Sequence, residues 1–193
     1  MALPRVPSRA AENRHEVVGR RRAVFLDRDG VINRSIVRDG KPYAPASLEA
    51  LEILPGVAQA LLSLRSASYL NIVVTNQPDV GAGKLSRATA DAMSAYLMEK
   101  LAIDAIRVCF HTESDSCQCR KPKPGLLLDA AAEFDVDLGR SYMVGDRWRD
   151  VGAAHAAGCR ALFVDYGYAE QRPEPPYVPV ESLAKAAVFI LRS

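Results

Sequence analysis

Apolar residues in this chain come in short unbroken runs separated by segments with helical spacing. The runs at 23–27, 71–75, 105–109, 141–144 and 161–165 predict five strands, and because polar residues do not alternate within them, both faces of the sheet should be covered. Between the runs the apolar spacing changes to threes and fours. Pro55-Gly56 opens a helix with Val57, Ala60, Leu61 and Leu64 on one face. Ser86 has the chemistry of an N-cap for a helix running to about Lys100, with Met93, Leu97 and Leu101 in its stripe. Pro124-Gly125 starts a helix through Phe134, and another follows Asp146. A last helix, from about Ser182 to Leu191, comes after a Pro-rich connector at 173–179. Strand–helix–strand alternation with short links predicts a parallel sheet in a three-layer, Rossmann-like α/β fold.

In such sheets ligands bind beyond the carboxyl ends of the strands. The polar signals sit at those ends: Asp27 and Asp29, Thr75 and Asn76, Cys109 and His111, and Asp146. The sharpest is Asp27-Arg28-Asp29-Gly30, where an apolar run stops at two carboxylates spaced i, i+2. Ionised carboxylates are costly to bury, so the pair calls for a cation or a reacting group, and Mg²⁺ is the expected ion. A second cluster, Cys109-x-His111-(x5)-Cys117-x-Cys119, offers three thiolates and an imidazole. That is a closed Cys₃His set suited to structural Zn²⁺, whose work would be to order the loop and aim Arg120 and Lys121 into the crevice.

Composition narrows the classes. A chain of 193 residues with 49% apolar and 25% charged residues fits one soluble domain, expected over 20–193. A net charge of +2 gives no ground for expecting nucleic acid or a membrane surface as partner. No apolar run approaches the roughly 18 residues of a membrane span. Six arginines in the first 22 residues are interrupted by Glu12 and Glu16 with no apolar stretch after them, so residues 1–19 read as a flexible tail, not a secretory signal. Clustered cysteines beside a histidine fit metal binding in a reducing cytoplasm, and a cytoplasmic monomer is expected.

Four motifs occur in order: Asp27-x-Asp29-Gly30, Val74-Thr75-Asn76, Lys121 within Arg120-Lys121-Pro122-Lys123-Pro124-Gly125, and Gly145-Asp146-x-x-x-Asp150. Together they resemble the haloacid dehalogenase superfamily of phosphohydrolases, over residues 22 to about 168. Within it the chain is most similar to the heptose 1,7-bisphosphate phosphatases and the related histidinol-phosphate phosphatases, on Leu26-Asp27-Arg28-Asp29-Gly30-x-Ile32-Asn33, Thr75-Asn76-Gln77, the Cys/His loop and Cys119-Arg120-Lys121-Pro122. The resemblance implies that Asp27 is the nucleophile, forming an aspartyl-phosphate. It implies that Asp29 is the general acid and base, and that Thr75 and Lys121 hold the transferring phosphoryl group. Asp27, Asp146 and the main-chain carbonyl of Asp29 would bind Mg²⁺, with Asp150 in support.

No room exists between the motifs for a large cap domain, so an open site is expected, covered by a 33–46 flap and the Cys/His loop. Arg120, whose fork matches a phosphate or carboxylate, is expected to grip the substrate beyond its reacting phosphate, with Asn33, Asn76 and flap residues 35–38 beside it. The expected substrate is a small phosphorylated sugar, a heptose bisphosphate first. Histidinol phosphate or another phosphomonoester is the alternative, and a zinc-stabilised binding protein without turnover the remote one. The chain departs from the family in two places. The Cys/His loop is short between His111 and Cys117, and Pro78-Asp79-Val80-Gly81-Ala82-Gly83-Lys84 places Ala82 where relatives carry an arginine. Lys84 is the nearest replacement cation.

Overall fold

The computed structural model describes residues 19–193, so all but the last residue of the expected tail lies outside the described residues. In chain order the elements are β1 (Arg22–Leu26), β2 (Ile36–Arg38), β3 (Lys41–Tyr43), α1 (Val57–Ser66), β4 (Tyr69–Asn76), the single turn α2 (Pro78–Gly81), α3 (Arg87–Lys100), β5 (Ala105–Cys109), α4 (Gly125–Phe134), β6 (Tyr142–Gly145), α5 (Trp148–Ala157), β7 (Arg160–Val164), β8 (Val178–Val180) and α6 (Leu183–Arg192). Six strands form one sheet in the order β5-β4-β1-β6-β7-β8, every pair parallel, while β2 and β3 make a separate antiparallel hairpin. Three of these strands fall outside the expected five. The hairpin strands are three residues each with exposed positions, too short to leave an apolar run. β8 (Val178–Val180) starts at the end of the expected 173–179 connector and carries Pro179, which an edge strand tolerates because one side of it needs no ladder donor.

The unbroken apolar runs follow from two separate cores. Val24 and Leu26 of β1, Val144 of β6 and Leu162 and Val164 of β7 pack with α1, α3 and α6. Ala23 and Phe25, Met143, and Ala161 and Phe163 point to the other face and pack with α4 and α5. Period-two alternation is present in direction but invisible in polarity, because each face meets a helical layer. The expected N-cap at Ser86 is present, and Ser182 caps α6 in the same way. The Ser86 hydroxyl accepts the Thr89 amide at 3.0 Å, and the Ser182 hydroxyl accepts the Lys185 amide at 3.3 Å.

Strand order fixes where the chemistry sits. The chain moves from β1 to β4 and β5 on one side, then returns to place β6, β7 and β8 on the other. The order therefore reverses between β1 and β6, and a crevice opens there at the carboxyl ends. Asp27 follows β1, Thr75 and Asn76 end β4, Cys109 ends β5 and Asp146 follows β6.

Candidate active site

Three carboxylates and one ammonium form the floor of the crevice. Oxygens of Asp27, Asp146 and Asp150 lie within 4.8 Å of one another, and all three residues are buried. The Lys121 Nζ stands 2.9 Å from Asp27 Oδ1 and 2.5 Å from Asp150 Oδ1, and donates to the Val74 carbonyl at 2.8 Å. Three partners satisfy the three ammonium donors and aim the charge at Asp27. Burial alone pushes the Lys121 ammonium down, but Asp150 and Asp27 reverse that, and its value is raised. Burial pushes the Asp27 carboxyl up to about 6 against the opposing pull of Lys121. Asp146 is raised well above its ordinary value by burial, then by the charges of Asp27 and Asp150.

Two glycines make this convergence possible. Gly30 has φ +89°, and a Cβ on it would fall 1.9 Å from Asp146 Oδ2. A Cβ on Gly145 would fall 2.1 Å from the Cβ of Asp150. Any side chain at either place would displace a carboxylate of the cluster.

Asp29 is held apart from that cluster. Arg28, fully buried, donates to both of its oxygens, Nη2 at 3.0 Å to each and Nε at 3.2 Å to Oδ1. Asn33 Nδ2 donates to Oδ1 at 2.9 Å and Gln77 Nε2 to Oδ2 at 2.7 Å. Gln77 also donates to the Thr75 hydroxyl at 2.9 Å, so one amide spans the acid and the β4 end. Asn33, expected to touch the sugar, is fully buried and its amide is committed to Asp29 instead. Asn76 clamps Lys121: its Oδ1 accepts the Lys121 amide and its Nδ2 donates to the Lys121 carbonyl, both at 3.1 Å. Asp150, expected in support, belongs to the carboxylate cluster itself and bonds Lys121 directly.

Three positioning side chains had no role assigned from the sequence. Arg28 and Gln77 stood within the quoted motifs without a role; the available signals were the place of Arg28 between two acids and that of Gln77 just past the end of β4. Tyr168, in the loop after β7, donates its hydroxyl to Asp146 Oδ2 at 2.9 Å. Burial and the Asp146 charge push that hydroxyl up, so it stays a donor. Its sequence neighbourhood carries no signal.

Above the floor lies a cleft of about 260 Å³. Lys41 of the hairpin, Arg120, and Arg147 and Arg149 of the Gly145–Asp150 turn add cations to its lining. Arg147 is committed to Glu170 by two bonds, one of 2.9 Å from Nε. Arg149 stacks over the Trp148 ring at 4.5 Å and bonds Glu113 only loosely, at 3.3 to 3.5 Å, and the Arg120 Nε is buried without a partner. Lys84 is exposed and does not line the cleft, so it does not replace the cation missing at Ala82.

The Cys/His loop forms the adjoining wall. Cys109 Sγ, His111 Nδ1, Cys117 Sγ and Cys119 Sγ lie within 4.8 Å of one another, with measured separations from 3.1 to 3.7 Å. Thiolates about 2.3 Å from a tetrahedral ion sit near the upper end of that range from each other. Lys123 ties the loop by donating to the carbonyls of Ser116 at 3.2 Å and Cys117 at 2.7 Å, and Arg120 donates to the His111 carbonyl at 3.3 Å.

Residues 118–186 match the HAD-hydrolase-like family model. The D-glycero-alpha-D-manno-heptose-1,7-bisphosphate 7-phosphatase of Mycobacterium tuberculosis (strain ATCC 25618 / H37Rv) is 41% identical over 152 residues, covering 76% of this chain and 78% of that one. The D-glycero-beta-D-manno-heptose-1,7-bisphosphate 7-phosphatase of Rhodopseudomonas palustris is 38% identical over 151 residues, covering 72% and 81%. Among solved structures, the D,D-heptose 1,7-bisphosphate phosphatase of B. bronchiseptica, complexed with magnesium and phosphate, superposes with a TM-score of 0.77 at 34% identity, covering 89% of this chain and 98% of that one.

Proposed function

This chain belongs to the haloacid dehalogenase-like phosphatases, in the family of the heptose-1,7-bisphosphate 7-phosphatases, and from that membership we propose that it removes the C7 phosphate of D-glycero-D-manno-heptose 1,7-bisphosphate. The observation that carries the reading is the separation of two acids in one cleft: Asp27 beside Lys121, and Asp29 on its own set of donors. Asp27 attacks phosphorus, an Asp27–phosphorus bond forms and the bond to the sugar oxygen breaks. Asp29 gives that oxygen its proton. Asp29 then takes a proton from water, which attacks phosphorus, releases inorganic phosphate and returns Asp27. Lys121 stabilises charge on the phosphoryl oxygens from a position already fixed by its three partners. Thr75, buried at the β4 end and bonded by Gln77, stands beside them.

The residues present fit a divalent cation. Three buried carboxylates share one ammonium, and Asp146 Oδ1 is buried without a hydrogen-bond partner. Asp27 and Asp146, with the Asp29 carbonyl, would hold Mg²⁺, which supplies positive charge against the repulsion between carboxylate and phosphate dianion. The Cys₃His set fits structural Zn²⁺, which would fix the wall that carries Arg120. A bisphosphate is favoured over a monophosphate by the cations beyond Lys121. Arg120 and Arg149 keep hydrogen-bonding capacity that the protein leaves unused, and Lys41 adds charge from the hairpin.

The test is phosphate release with Mg²⁺ from both anomers of heptose 1,7-bisphosphate and from histidinol phosphate. Heptose 1-phosphate should accumulate, and Asp27→Asn should lower turnover by about 10⁴-fold or more. Faster turnover of histidinol phosphate than of either heptose anomer would overturn the substrate assignment. Unchanged turnover in Asp27→Asn would overturn the mechanism.

A further inference from the structure

The segment after β7 touches the site at several points that the reaction scheme above does not use. Tyr166 donates its hydroxyl to the Gly30 carbonyl at 3.1 Å, in the turn that carries Asp29. Tyr168 donates to Asp146 Oδ2 at 2.9 Å. The Ala169 amide donates to the Gly40 carbonyl at 2.8 Å, at the tip of the β2–β3 hairpin. Gly40 has φ +72° there, and a Cβ on it would meet the Ala169 Cβ at 2.9 Å, so hairpin and segment are in direct backbone contact. Glu170 pairs with Arg147 on the cleft wall. The two tyrosine rings pack at 5.5 Å between centroids.

We infer that Tyr168 is a positioning residue for the cation site, holding one oxygen of Asp146 so that the other remains free for a divalent ion. The inference rests on the reading of Asp27 and Asp146 as cation ligands. Asp146 is 1% exposed, and Tyr168 is the one side chain that hydrogen-bonds it among the described residues. Without that bond, the carboxylate can rotate about its Cβ–Cγ axis, and its fixed orientation toward Asp27 is lost. Partners one step behind a metal ligand commonly change affinity 10- to 100-fold when removed. Because the same segment bonds the hairpin through Ala169, the cleft's cover and its metal acid hang from one short stretch of chain.

The experiment is direct Mn²⁺ binding to the substrate-free protein, by titration calorimetry or by loss of the free-ion paramagnetic signal, in four proteins. Asp146→Asn should abolish binding, and retention of wild-type affinity there would sink the cation-site reading itself. Tyr168→Phe keeps the ring packed on Tyr166 and removes only the hydroxyl, and it should raise the dissociation constant about tenfold. Its activity at saturating Mg²⁺ should stay within about threefold of wild type, with an unchanged KM for the sugar. Tyr166→Phe removes a hydrogen bond of similar length from the same segment without touching Asp146, and should leave Mn²⁺ affinity within about twofold. Wild-type affinity in Tyr168→Phe, or an equal loss in Tyr166→Phe, would overturn the inference.

Discussion

At the amino-terminal edge of the sheet, Arg22 donates to the Tyr69 hydroxyl at 3.2 Å and to the Ala67 carbonyl at 3.1 Å, where α1 ends. Arg65 pairs with Asp104 at 3.0 Å, and Asp104 in turn accepts the Asn71 amide at 2.8 Å. Arg20 lies 3.4 Å from Asp135, the C-cap of α4. These cations complement the carbonyl ends of helices, which gather at this edge because helices run against the strands they cover. At the carboxyl edge the signs are reversed and the arithmetic does not close. Asp27, Asp146 and Asp150 are buried around Lys121, and Asp146 keeps an oxygen without a partner. One edge pairs its charge with its own carboxylates and helix-end backbone, whereas the other holds surplus charge in place for something that is not protein.

The sharpest way to break this contrast is to take away Lys121, the ammonium bonded to both Asp27 and Asp150. Lys121→Met should lower turnover by about 10²- to 10³-fold, because the donor aimed at the phosphoryl oxygens is lost. It should also lower stability in EDTA by roughly 3–5 kcal/mol, because Asp27 and Asp150 are left buried without their partner. Urea unfolding measures the second effect. A variant as stable as wild type would mean that the carboxylates are less confined than their burial indicates.

Much of the acidic edge was legible from residue types, and the reason is physical. Asp and Thr placed at strand ends have few structural uses there, so Asp27, Asp29, Thr75 and Asp146 stand out against apolar runs, while Lys121 was found through its motif in the loop before α4. The same reasoning placed the five long strands and five helices to within a residue or two. It did not find β2, β3 or β8, whose pairing depends on tertiary position more than on apolar content. It also misplaced Asn33, because an amide four residues from an acid reads equally well as a substrate contact until the turn at Gly30 folds it back onto Asp29. Tyr168 was out of reach for a different reason. A tyrosine 22 residues from Asp146 becomes its partner only through the packing of the loop after β7 against β6.

Acidity offers a second test of the contrast. The Asp27 carboxyl is pushed from 3.8 up to about 6 by burial. Between those values the folded protein holds a proton that the unfolded chain has released, so stability falls as pH rises through the window. In EDTA, wild type should therefore lose on the order of 2 kcal/mol relative to Asp27→Asn between about pH 4.5 and 7. Urea unfolding at several pH values reads the difference, and Mg²⁺ should remove most of it, since a bound cation replaces the proton. Parallel pH profiles for the two proteins would show that Asp27 ionises as freely as an exposed acid.

The smallest expected effect lies at the opposite edge and sharpens the comparison by its size. The Arg65 and Asp104 side chains are 45% and 25% exposed, so water screens their attraction and stands ready to replace it. Arg65→Ala should lower stability by about 0.5 kcal/mol and leave turnover and Mn²⁺ affinity unchanged. Asp104 keeps its bond to the Asn71 amide in that variant, so no buried group is orphaned. A loss above about 2 kcal/mol would mean that the arginine edge, like the acidic one, stores charge under strain. The asymmetry between a surface pair that water can replace and a buried cluster that only an ion can complete would then have to be abandoned.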